Sequence, residues 1–170
     1  MIIIGIDPGL AKVGYGVVRK IKNPKSKIQN RFRCLGYGVI QTKPSFPPAE
    51  RLRKISKELN KLIKEYQPAV LAVESVYFFK NLKTALPVSQ AKGVILLSAA
   101  NKNIPVYEFT PLQVKMAMVG YGRAEKKQIQ EATKVELDLK ELPRPDDAAD
   151  ALAIALCCGN LLEKRGKILS

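Results

Sequence analysis

The sequence predicts an α/β fold in which a mixed β-sheet carries helices on its faces. Short apolar runs such as MIIIGID and AVLAVES have the length and composition of buried strands. Longer segments between them repeat their apolar residues at helical spacing. The first three strand candidates follow one another without a helix, which is typical of an antiparallel meander beside parallel strands.

The amino-terminal half predicts three strands, a helix and a fourth strand. The first strand, MIIIGID, ends at Pro8-Gly9, a pair that marks a turn. The strands VGYGVVRK and RCLGYGVIQ flank the turn-rich IKNPKSKIQN. In PPAERLRKISKELNKLIKEY an apolar stripe predicts an amphipathic helix, and it consists of Leu52, Ile55, Leu59, Leu62 and Ile63. The strand AVLAVES follows Pro68.

The remainder predicts a helix in KTALPVSQAKGVILLSAANKN, a strand in IPVYEF and three further helices. TPLQVKMAMVG has Thr110 as the N-cap and Pro111 at the first helical position. AEKKQIQEATKVEL and RPDDAADALAIALCCGNLLEKR complete the order βββαβαβααα. Because no linker interrupts this series, we expect one domain over residues 1–170.

The composition favours a nucleic-acid partner. Lys and Arg number 29 against 15 acidic residues, so the formal net charge is +14. Such a surface attracts polyanions, although basic charge can also serve solubility alone. No stretch approaches the ~18 apolar residues of a membrane span, and three cysteines without a CxxC pair favour a reducing compartment. The expected location is the cytoplasm.

Four carboxylates stand where charge is unusual. Asp7 and Glu74 each end an apolar strand, at the strand end where open α/β sheets place ligands. Asp147 and Asp150 are three residues apart, so both project from one side of a largely apolar helix. Asp146 is the expected N-cap of that helix. Starting a turn is an alternative role for Asp7, but capping does not explain Asp150.

Converging carboxylates would repel one another, and divalent cations remove this repulsion. Oxygen ligands of this kind suit Mg²⁺ or Mn²⁺. Two such ions ~4 Å apart can activate water and stabilise the leaving oxygen in phosphodiester hydrolysis. An acidic metal pocket in a basic protein therefore indicates a nuclease.

Six segments resemble the RuvC family of Holliday-junction resolvases in order and spacing: GIDPG, VES, KNLKTALPVSQAKG, QVK, GRAEKKQ and DDAADALAIA. The resemblance covers roughly residues 2 to 160. It implies an RNase H-like fold with a five-stranded mixed sheet, its second strand antiparallel, and helices on both faces. It also implies a homodimeric crossover junction endodeoxyribonuclease that acts in recombination and repair. Such an enzyme nicks two strands of like polarity symmetrically and leaves 5′-phosphate and 3′-hydroxyl ends.

By the same resemblance, the catalytic and metal-binding residues are Asp7, Glu74, Asp147 and Asp150, with two Mg²⁺ per site and Mn²⁺ as a substitute. The chain has no histidine, so a general-base role falls to a carboxylate or to water on the metal. Asp146 leaves the register of the last acidic pair open by one residue. Family expectation also includes the RuvAB branch-migration complex as a partner.

The resemblance places Tyr77 and its neighbour Phe78 at the junction crossover, and three consecutive aromatic residues suit stacking on unpaired bases. Lys115 and Lys126 match lysines that contact phosphate, with Lys80 and Arg123 as further DNA-binding candidates. A packed loop or a dimer contact is the alternative for the aromatic residues. For the whole chain the alternatives are a non-catalytic junction-binding protein and an RNase H-like nuclease for another branched or hybrid substrate.

Overall fold

A computed structural model describes residues 1–21, 31–75 and 82–168. The elements run in the predicted order βββαβαβααα. The strands are β1 (Ile2–Asp7), β2 (Lys12–Lys20), β3 (Phe32–Gln41), β4 (Val70–Glu74) and β5 (Val106–Phe109). The helices are α1 (Pro48–Tyr66), α2 (Leu82–Ala100), α3 (Pro111–Val119), α4 (Lys126–Glu136) and α5 (Asp146–Ile168).

The five strands form one mixed sheet in the order β3-β2-β1-β4-β5. β2 pairs antiparallel with both β1 and β3, whereas β4 pairs parallel with β1 and β5. The carboxyl ends of β1, β4 and β5 therefore lie along one edge of the sheet, which is where ligands bind in open α/β sheets. The predicted mixed sheet with an antiparallel second strand is confirmed.

Each face of the sheet has its own hydrophobic core, because successive side chains of a strand point to opposite faces. Ile3 contributes to a core that includes residues of α3, α4 and α5. Ile4 contributes to the opposite core, together with residues of α1 and α2. α5 packs directly on β1 and β2. Helices thus flank both faces, as predicted.

Helix starts follow local capping chemistry. Thr110 is the N-cap of α3, as predicted: its hydroxyl accepts a hydrogen bond from the Gln113 backbone N–H, and the Gln113 side chain accepts one from Thr110 N–H. The expected N-cap role of Asp146 is wrong by one residue. α5 begins at Asp146, and the carbonyl of Pro145 accepts the first helical hydrogen bonds. No helix in the described ranges has the length and apolar character needed to cross a bilayer.

Candidate active site

The carboxylates of Asp7 and Glu74 stand at the ends of neighbouring parallel strands. Ile6 is in register with Val73, so Asp7 and Glu74 are the next positions on β1 and β4. Adjacent strands lie about 4.8 Å apart, which makes the two acidic residues neighbours at the edge of the sheet.

Both acidic residues face α5. Ile3 on β1 and Ala72 on β4 belong to the core beneath that helix. Asp7 and Glu74 are separated from them by even numbers of residues, and residues at even spacing share one face of a sheet. The alternation of the two strands therefore directs both carboxylates toward α5.

Glycines allow α5 to approach the sheet closely. A Cβ added at Gly5 would lie 2.1 Å from the carbonyl oxygen of Ala151, and one at Gly16 would lie 2.7 Å from the backbone nitrogen of Leu152. Real Cβ atoms do not tolerate such distances, so the helix backbone rests on strand backbone at these points. This role of the glycines was not predicted from the sequence, although glycine inside a strand is a known signal of close approach.

The same contact brings the acidic turn of α5 over the end of β1. Gly14 pairs with Asp7 in the antiparallel register. A Cβ at Gly14 would lie 1.9 Å from the carbonyl oxygen of Asp147 and 3.1 Å from its Cβ. Asp147 consequently lies beside the strand position of Asp7, and Asp150 follows one turn later on the same side of the helix.

Electrostatics show that the four carboxylates interact. Burial, followed by the charges of Glu74, Asp150 and Asp147, raises the pKa of Asp7 to about 8. Lys126 acts in the opposite direction but does not compensate for them. Ionisation of Asp7 is therefore unfavourable unless a cation binds nearby.

The pKa values of two further carboxylates, Glu74 and Asp150, are also raised. Burial, followed by the charge of Asp150, raises the pKa of Glu74. Burial also raises the pKa of Asp150, while a hydrogen bond from Lys126 lowers it. The positions 7, 74 and 150 therefore form one coupled group, which Asp147 joins through its effect on Asp7 and Asp150.

Lys126 connects this group to Asp146. Its ammonium lies 2.9 Å from Asp150 Oδ2 and 3.4 Å from Asp146 Oδ2. Asp146 also accepts a hydrogen bond of 3.0 Å from the side-chain amide of Gln130. Burial lowers the pKa of Lys126, but the two aspartates outweigh this effect and raise it. Gln130 was not among the predicted site residues, since its contact depends on how α4 packs on α5.

A cleft of about 200 Å³ lies beside the carboxylates. Glu74 and Asp150 line it together with Lys115 and Lys126, and α3, α4 and α5 supply its apolar wall. Arg123 is exposed in the turn between α3 and α4. Of the predicted DNA-binding residues, two therefore line the acidic cleft. Tyr77, Phe78 and Lys80 lie outside the described residues.

The donor set suits a divalent metal ion. Carboxylate oxygens are hard ligands, and their mutual repulsion at Asp7 is the kind that such an ion relieves. Among the described residues, no group of three or more acidic or cysteine side chains is arranged so that it could hold one metal ion. One carboxylate oxygen of Asp150 is paired with the Lys126 ammonium.

Comparison with known proteins agrees with the arrangement. The family model described as "Crossover junction endodeoxyribonuclease RuvC" matches residues 3–158. A protein of that name from Alkaliphilus oremlandii is 50% identical over 166 residues, 96% of this chain and 97% of the relative. One from Petrotoga mobilis is 51% identical over 160 residues, 94% of each chain.

Solved structures give the same result. Thermus thermophilus RuvC superposes with a TM-score of 0.87 at 35% identity, over 96% of both chains. The same protein in complex with a Holliday junction substrate gives a TM-score of 0.88, with the same identity and coverage. The predicted family and the RNase H-like fold class are thus confirmed. This chain belongs to the RuvC family of crossover junction endodeoxyribonucleases.

Proposed function

We propose that this protein resolves four-way DNA junctions by hydrolysing one phosphodiester bond in each of two strands of like polarity, leaving 5′-phosphate and 3′-hydroxyl ends. The observation that carries the proposal is the position of Asp7 and Glu74 on adjacent strand ends, beneath the acidic turn of α5. Family membership and the Thermus relative bound to a Holliday junction support the substrate. Recombination and repair are the processes that such a reaction serves.

The metal ions of the proposed site are two Mg²⁺, with Mn²⁺ as a substitute, held by Asp7, Glu74, Asp147 and Asp150. When bound, such ions supply Lewis-acid activation of water and stabilisation of the leaving oxygen. Asp7 and Glu74 are partly desolvated by burial, which strengthens their attraction for a cation.

The cationic residues of the cleft have a separate role. Lys115 and Lys126 line it together with Glu74 and Asp150, so a phosphate that enters the cleft meets positive charge there. Fixed cations at that position stabilise charge that builds on the phosphate during attack. We assign Tyr77 and Phe78 to the junction centre on the family resemblance alone, and Lys80 and Arg123 to DNA contacts nearby.

A homodimer would supply the two active sites that symmetric nicking needs. The exposed side of α2 carries Leu86 and Leu97, whose exposed fractions are 66% and 60%. Between them, a Cβ at Gly93 would meet no atom within 4 Å. An apolar helix face with a flat centre is a suitable surface for a second copy of the chain.

The wider assignment follows the family resemblance. One domain, residues 1–170, would carry the activity. The protein would act on chromosomal DNA in the cytoplasm. The branch-migration complex RuvAB would be the partner that delivers junctions. None of these three statements depends on the geometry of the cleft.

Cleavage of a synthetic four-way junction tests the proposal. We expect paired nicks with Mg²⁺ and none with EDTA. Asp7→Asn should abolish cleavage and keep or strengthen junction binding, since it removes negative charge that faces DNA. Asp138→Asn, at an exposed position with φ of 52° that asparagine tolerates, is the matched control.

Three outcomes would contradict it. Binding without cleavage by the wild type in Mg²⁺ or Mn²⁺ would identify a non-catalytic junction-binding protein. Preferred cleavage of a flap, a three-way junction or an RNA–DNA hybrid in competition would identify a different nuclease. Loss of binding together with cleavage in the Asp7→Asn variant would contradict the assignment of Asp7.

A further inference from the structure

Lys126 occupies a position between two acidic residues with different surroundings. Its ammonium lies 2.9 Å from Asp150 Oδ2 and 3.4 Å from Asp146 Oδ2. The Asp150 side chain is 34% exposed and that of Asp146 is 63% exposed. Asp150 therefore belongs to the interior of the cleft, whereas Asp146 stands at its rim.

Asp146 is the acidic residue that the proposed metal set does not use. The charges that raise the pKa of Asp7 come from Glu74, Asp150 and Asp147. The contacts of Asp146 run toward α4, where Gln130 donates a 3.0 Å hydrogen bond to its Oδ1. This bond orients the carboxylate, so that its other oxygen faces Lys126.

We propose that Asp146, oriented by Gln130, is a positioning residue that retains the Lys126 ammonium at the rim of the cleft when a divalent cation takes its place at Asp150. The inference rests on the proposed function, because it assumes that Asp150 is a metal ligand. Lys126 is then an internal counter-ion with two positions. It pairs with both aspartates before the cation binds, and with Asp146 alone afterwards.

Charge explains the exchange. A divalent cation at Asp150 repels a neighbouring ammonium, and without a second anchor the lysine would leave for solvent. Asp146 and Asp150 are four residues apart, so their side chains are neighbours on one helix face. Because the ammonium already lies 3.4 Å from Asp146, it can lose its contact with Asp150 and remain paired after only a small movement. At the rim it still lines the cleft with Lys115, where a phosphate would enter.

The first part of the proposal is that Lys126 competes with a divalent cation for Asp150. Binding of Mn²⁺ alone to the DNA-free protein tests it, and calorimetry and the shift of melting temperature measure that binding. Lys126→Gln should tighten Mn²⁺ binding by about threefold to tenfold, the range expected for release of a charge-assisted pair. Lys126→Arg should retain the competition. Lys115→Gln is the matched control. It removes the same charge from the same cleft, but the ion partner of Asp150 is Lys126 and not Lys115.

A double-mutant cycle tests the role of Asp146. Asp146→Asn should weaken Mn²⁺ binding about threefold in the wild type, because Lys126 then has no anchor other than Asp150. In the Lys126→Gln background the same substitution should have no effect. Simple loss of a nearby negative charge would instead weaken binding equally in both backgrounds.

Two results would overturn the proposal. One is an equal gain in Mn²⁺ affinity for Lys115→Gln and Lys126→Gln, or no gain for either. The other is an equal effect of Asp146→Asn in the two backgrounds. Failure of the proposed function would be seen differently, as absence of junction cleavage, which this titration does not measure.

Discussion

Gly14 lies directly beneath the backbone of Asp147, so close that a Cβ on the glycine would stand 1.9 Å from the aspartate's carbonyl oxygen. Because Gly14 is paired with Asp7 on the neighbouring strand, this single contact joins the first and the third of the proposed catalytic acidic residues. The position of Asp147 therefore depends on the absence of a side chain at residue 14.

Gly14→Ala should therefore displace the first turn of α5. We expect destabilisation of at least about 1–3 kcal/mol, the usual cost of overpacking, and loss of junction cleavage because Asp147 moves. Chemical denaturation and a cleavage assay measure the two effects. Gly36→Ala is the control, since its Cβ would meet only the far end of the Tyr66 side chain, which can move. Cleavage at the wild-type rate by a folded Gly14→Ala protein would contradict this account of α5.

The raised pKa of Asp7 predicts how stability depends on pH in metal-free protein. Its folded pKa is about 8, against 3.8 ordinarily, so the folded state binds more protons than the unfolded state between these values. The free energy of unfolding should consequently fall as the pH rises through this range. The stabilising contribution of protonated Asp7 is complete below the unfolded pKa and lost above the folded one.

Asp7→Asn should flatten that dependence, and thermal melts in EDTA at several pH values would measure it. A smaller slope should remain, because the pKa values of Glu74 and Asp150 are also raised. Asp138→Asn, at an exposed position, is the matched control. An Asp7→Asn protein with the full wild-type slope would show that Asp7 is not the group responsible.

The exposed face of α2 predicts the oligomeric state. Leu97→Glu should weaken self-association with little change in melting temperature of the monomer, because the side chain is 60% exposed. Analytical ultracentrifugation over a range of concentrations measures this. Val135→Glu on α4, at a position 71% exposed, controls for added charge at an exposed apolar residue. Identical association of wild type and Leu97→Glu would exclude this face as the interface.

Local patterns in the sequence were sufficient to predict much of the fold. Strand alternation and strand ends are local properties, so Asp7 and Glu74 could be placed at one edge of a sheet. Helical spacing likewise placed Asp147 and Asp150 on one side of α5. The N-cap at Thr110 could be predicted because the residues that start α3 are consecutive in the sequence.

Contacts between distant elements could not be predicted in the same way. Among 29 cationic residues, nothing local distinguishes Lys126 as the partner of Asp150, because the pairing depends on the packing of α4 on α5. The same packing brings the Gln130 amide within hydrogen-bond distance of Asp146. The glycines beneath α5 carried a usable signal, since three of them interrupt strands without a turn, but the helix that they accommodate is far away in sequence.

Anomalous diffraction from crystals soaked in Mn²⁺ would test most directly whether the four carboxylates form one metal site. We expect manganese peaks with Asp7 as a shared ligand and with Glu74, Asp147 and Asp150 completing the coordination, while Lys126 has left Asp150. Absence of manganese from the cleft at saturating concentration, or ligation by Asp146 in place of Asp147, would contradict the account.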